Sequence, residues 1–132
     1  MATPHELGLE RLSAVEHSLK ERLSRVGEDP AAVLAAGEEV LAFADLEERL
    51  FFPILPLLDP RARAELEQEH GRLADDLQLL RHLISGSPGS SDVAALASAL
   101  AERLRTHIAR DGRLIAQAQR FGPKSTAPRS ST

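Results

Sequence analysis

The amino-acid sequence predicts an all-α fold, an antiparallel up-and-down four-helix bundle. Three observations carry this expectation. Four segments space their apolar residues three and four positions apart, the interval that lines up side chains on one helix face. Each segment is bounded by Pro, Gly or Ser/Asp positions that start or stop a helix. No segment alternates in the manner of a half-buried strand, and short connections make successive helices antiparallel neighbours.

The first helix opens at Thr3-Pro4-His5-Glu6, a capping box with proline at the first helical position. Its stripe is Leu9, Leu12, Glu16, Leu19, Leu23 and Val26, and Gly27 ends it. The second opens at Asp29-Pro30 and carries Val33, Gly37, Val40, Ala44, Glu47 and Phe51 until Pro53 stops it. A connection over residues 53–58 leads to a second Asp-Pro start, Asp59-Pro60. The third stripe follows as Leu66, His70, Leu73, Leu77, Leu80 and Ile84. A Gly/Ser/Pro linker, residues 85–91, separates it from a fourth helix starting near Ser91-Asp92. That helix carries Val93, Leu96, Leu100, Leu104, His107, Asp111, Leu114 and Ala118 on its stripe. Residues 1–121 are thus read as one bundle domain. Residues 122–132, GPKSTAPRSST, are polar and Pro/Ser-rich and read as a disordered C-terminal tail.

Composition narrows the function. A chain of 132 residues with 42% apolar content suits one core, and four Phe with no Trp or Tyr make that core Leu-, Ala- and Val-based. The net charge of −4, without a basic stripe, argues against a nucleic-acid surface. The lack of cysteine excludes disulfides, thiolate metal sites and a cysteine nucleophile. The charged, periodic N-terminus is unlike a signal peptide, and no apolar run approaches the ~20 residues that span a bilayer. A cytoplasmic protein without a membrane partner is expected. No serine has a recognisable base partner and no Gly-rich loop follows a strand, so hydrolase and nucleotide chemistry have no support.

Four ionisable side chains fall near the centres of apolar stripes: Glu47 on the second helix, His70 on the third, and His107 and Asp111 on the fourth. His107 and Asp111 are spaced i, i+4 and so point the same way one turn apart. Measured from the connecting loops, all four lie within about one turn in height, at ~1.5 Å per residue. His17 and His82 fall off their stripes and face solvent. A single inward histidine is commonly a satisfied core residue, but two imidazoles and two carboxylates cannot be buried together unpaired without a cost of several kcal/mol. Two solutions stand open: histidine–carboxylate ion pairs, or a cation, for which this set of N and O donors suits iron, manganese or zinc.

The run Glu47-Glu48-Arg49-Leu50-Phe51-Phe52-Pro53, the pair Glu69-His70 and the segment His107-Ile108 with Asp111 resemble, in order and spacing, motifs of the hemerythrin-like (HHE cation-binding) domains. The resemblance extends over about residues 10–118. It implies a four-helix bundle that holds two irons through histidines and bridging carboxylates and leaves a position for dioxygen. Carried over, Glu47 and Asp111 would bridge, and His70 and His107 would be terminal ligands to one iron. The sequence departs from the pattern at Phe43 and Leu66, where the family places further histidines. For the first helix His5, Glu16 and His17 all remain candidates. The expectation is therefore a metal-binding bundle, holding one or two iron ions in an altered or half-lost di-iron centre that binds or senses dioxygen or small oxidants. The alternatives are a metal-free bundle serving as an interaction or regulatory module, and a peroxide-consuming di-iron enzyme that would need a first-helix ligand.

Overall fold

The computed structural model describes residues 3–121, so the expected tail at residues 122–132 lies outside the described residues. Four helices account for nearly all of the described chain: α1 (Pro4–Val26), α2 (Pro30–Leu50), α3 (Ala62–Gly86) and α4 (Ser91–Phe121). No strand occurs among the described residues. A short 3₁₀ turn, Leu55–Leu57, bridges α2 and α3.

Local chemistry sets the helix ends. The Glu6 N–H donates to the Thr3 hydroxyl at 3.1 Å, and the Thr3 N–H donates back to the Glu6 carboxylate at 2.8 Å, the reciprocal capping box. Gly27 follows α1 with φ +66°, backbone that β-carbon-bearing residues avoid. The Ala32 N–H donates to the Asp29 carboxylate at 3.0 Å and starts α2. The second Asp-Pro pair behaves differently from expectation. The Asp59 carboxylate accepts from the Arg61 N–H at 3.0 Å, an Asx-type turn, and the helix begins only at Ala62. The Val93 N–H donates to the Ser90 hydroxyl at 3.2 Å and caps α4.

Each predicted stripe faces the core, although Val26, Ile84, Leu96 and Leu114 are only partly buried. Helix α4 buries more than one stripe, because Ala97, Ala101, Ile108 and Ile115 join the core. It packs against α1 and α3 on its flanks and against α2 across the bundle. Helices α2 and α3 approach closely at Gly37, where a β-carbon would overlap the Leu77 side chain. Arg22–Glu39 ties α1 to α2, Arg81–Glu38 ties α2 to α3, and Arg103–Asp76 with Arg110–Glu65 tie α3 to α4. Such surface pairs contribute little each and mainly set register. Among the described residues no helix is long and apolar enough to cross a membrane.

Candidate metal centre

Each candidate side chain is aimed inward by its helix. At the end of α2 the N–H groups of Phe51 and Phe52 both donate to the Glu47 carbonyl, at 2.7 and 2.9 Å. This closes the helix one turn after Glu47, and Phe51 and Phe52 then fold into the core. Glu47 and Asp111 are 0% exposed, and His70 and His107 are buried as well. Phe52 stacks on His70, with ring centroids 5.9 Å apart and planes 8° from parallel, which fixes the imidazole plane.

Three of the four expected residues form one group, and Asp111 adjoins it through His107. Donor atoms of Glu47, His70 and His107 all lie within 4.8 Å of one another, a group able to hold a metal ion. His70 Nε2 is 3.3 Å from Glu47 Oε1, and His107 Nε2 is 3.1 Å from Asp111 Oδ2. The two imidazoles meet edge to face with centroids 5.1 Å apart. On its other side His70 Nδ1 faces Glu48 Oε2 at 3.5 Å, so a half-exposed carboxylate backs the buried ring.

Taken as carboxylates and imidazoles, these groups do not satisfy one another. Both oxygens of Glu47, both of Asp111, both ring nitrogens of His70 and Nε2 of His107 are buried without a well-formed hydrogen bond. A buried polar group left so costs about 1–3 kcal/mol. Electrostatics push the pair at the centre toward neutrality. Burial, then the Asp111 charge and a shared hydrogen bond to it, then Glu48, raise Glu47 from 4.5 to about 11. Burial and then His107 lower His70, against the weaker upward pull of Asp111 and Glu48. Ion pairing between His70 and Glu47 would require the opposite directions, a raised histidine and a lowered glutamate. A cation placed among the donors answers both problems, because it accepts the lone pairs and stabilises the carboxylate form.

Phe43, 2% exposed, and Leu66, fully buried, fill with hydrocarbon the positions one turn before Glu47 and His70. On α1, His17 points outward with its side chain 77% exposed, and the side chain of His5 lies outside the described residues. Glu16 is different: it is 5% exposed, and its carboxylate lies against the α4 backbone at Gly112. The contact of Glu48 with His70 and the seat of Glu16 at Gly112 were not expected from sequence. Their only signals there are the doubled glutamate at 47–48 and a glycine directly after Asp111 in an otherwise strong helix.

A four-helix bundle with imidazoles and carboxylates converging in its core defines a class, the metal-binding bundles of the carboxylate–histidine type. Within that class, residues 5–117 match the family model described as the hemerythrin HHE cation binding domain, and the chain belongs to that family. No curated protein and no solved structure matches it.

Proposed function

We propose that the protein binds iron through Glu47, His70, His107 and Asp111, and presents it to dioxygen or another small oxidant. The observation that supports this most is the set of buried, unsatisfied oxygens and nitrogens facing one another between α2, α3 and α4. Family membership supports a cation as the group that satisfies them. A mixed imidazole and carboxylate donor set is one that iron accepts. Bound iron would supply an exchangeable coordination position for a small oxidant.

The protein's own residues define what surrounds that position. His70 and His107 bring nitrogen donors from two helices, and Glu48 behind His70 orients its ring. Glu47 and Asp111 bring negative charge and offset the cation in a site of low dielectric. Phe43, Phe51 and Phe52 exclude water from the α2 side. Leu66 and Phe43 leave fewer nitrogen donors than the full family pattern holds, which weighs against a symmetric oxygen carrier and for a sensor or scavenger.

Metal analysis after iron loading and desalting tests the reading. The wild type is expected to retain iron, and a His70→Ala/His107→Ala variant to lose it. Negligible metal in both would remove the proposal. A metal-free interaction module predicts instead a melting temperature indifferent to chelator.

A further inference from the structure

We infer that the last turns of α4, with the connection before α3, form a docking surface for an acidic amphipathic segment of another protein. The surface lies outside the metal centre, and neither reading depends on the other.

Charge is distributed unevenly along the chain. Residues 110–132 hold five Lys/Arg and a single acidic residue, Asp111, whereas residues 1–109 hold eleven Lys/Arg and nineteen Asp/Glu. Asp111 is fully buried and offsets none of this positive charge at the surface. On α4, Arg110, Arg113, Gln117 and Arg120 follow at intervals of three and four, which places them on one helix face. That row is about 15 Å long, roughly three helical turns.

The row borders a groove. Asp59, from the connection before α3, and Leu114 line it with these four residues, around a volume of about 470 Å³. Arg110 is matched by Glu65 across the α3–α4 seam at 2.5 Å. Arg113 is exposed and has no ion pair among the described residues. Its planar fork is therefore open to a carboxylate from outside. Two residues before Asp59, Leu57 is 79% exposed, more than any other large apolar side chain among the described residues. A single exposed leucine is ordinary, but beside an arginine row it supplies the apolar half of an amphipathic footprint.

These features discriminate among anionic partners. Asp59 and Glu65 stand at the groove and would repel a phosphate backbone or an anionic lipid surface. The chain has no Trp or Tyr to stack a base, and Phe43, Phe51 and Phe52 are buried. A protein segment suits the mixture better. Its carboxylates can take Arg113 and Arg120 while an apolar side chain covers Leu57 or Leu114. A partner helix with Glu at every third or fourth position and Leu between matches the row along its length.

The test uses the full chain and a fluorescent synthetic helix of about 20 residues, built from Glu and Leu in that spacing. The same helix with Lys in place of Glu, vesicles of phosphatidylserine and phosphatidylcholine in equal parts, and a short DNA duplex are the comparison probes. Wild type is expected to bind the Glu/Leu helix, less so at high salt, and to leave the Lys/Leu helix unbound. Arg113→Glu should weaken binding about tenfold, and Leu57→Ser several-fold. Both side chains are exposed, so the melting temperatures of both variants should match wild type, and lost binding then reports the surface and not the fold. No binding of the Glu/Leu helix, unchanged affinity in either variant, or tighter binding of the vesicles or the duplex overturns the inference. Each of those results leaves the proposed function standing.

Discussion

A carboxyl group raised to about 11 keeps its proton at neutral pH, so Glu47 enters metal binding as an acid. A metal accepts only the carboxylate, and binding must therefore release that proton. His70 is pushed toward its neutral form, ready to donate a lone pair without losing a proton at neutral pH. Metal affinity should then rise about tenfold per pH unit near neutrality, as one proton's linkage requires. Competition with a chelator of known pH dependence, run across neutrality, measures the slope, and a flat profile would contradict the assignment of Glu47. The metal-free protein should show the reverse trend. Glu47, raised above its ordinary 4.5, contributes stability that is full below that value and lost as pH climbs toward 11. His70, lowered from 6.5, contributes stability that is lost as pH falls below 6.5. Of these two groups Glu47 is the one still titrating well above pH 6.5, and the raised Glu16 acts in the same direction, so chelated wild type should lose stability with rising pH. Glu47→Gln should flatten that loss. Urea unfolding at a series of pH values measures both.

At the scale of helices, two glycines make opposite predictions from one substitution. Gly71 faces open space on α3, and Gly71→Ala should stabilise by about 0.5–1 kcal/mol through helix propensity. Gly37 lies where α2 meets Leu77, and Gly37→Ala should destabilise by about 1–3 kcal/mol through overpacking. Denaturant midpoints would separate the two signs. Helix limits were largely legible in the sequence because caps and stripes are local. Thr3 to Glu6, Asp29 to Ala32 and the stripe through Glu47 depend on a few neighbouring residues each. Features set by neighbouring helices were less legible. Asp59-Pro60 has the same sequence as the start of α2, yet its side chain closes a turn and the helix waits until Ala62. The second buried row of α4, Ala97 with Ala101, Ile108 and Ile115, reflects its contact with three helices, which one stripe does not encode. The four inward polar residues were legible because period and loop distance together fix both face and height.

For the whole molecule, the cluster joins side chains from α2, α3 and α4. A ligand that binds the folded chain alone stabilises it by about 2.7 kcal/mol at a hundredfold excess over its dissociation constant. Iron loading should therefore raise the melting temperature, and chelator should return it to the metal-free value. The His70→Ala/His107→Ala variant should not respond to either. Calorimetry with and without iron checks this, and equal shifts in wild type and variant would place the metal elsewhere. The oxygens of Glu47 and Asp111 also make the metal-free core costly, so stability and occupancy should vary together.

X-ray absorption at the iron edge of the loaded protein examines the coordination most directly. The account predicts nitrogen and oxygen neighbours with outer-shell scattering from the imidazoles of His70 and His107, lost in the double variant. An iron shell without imidazole scattering, or one unchanged when both histidines are removed, would contradict it.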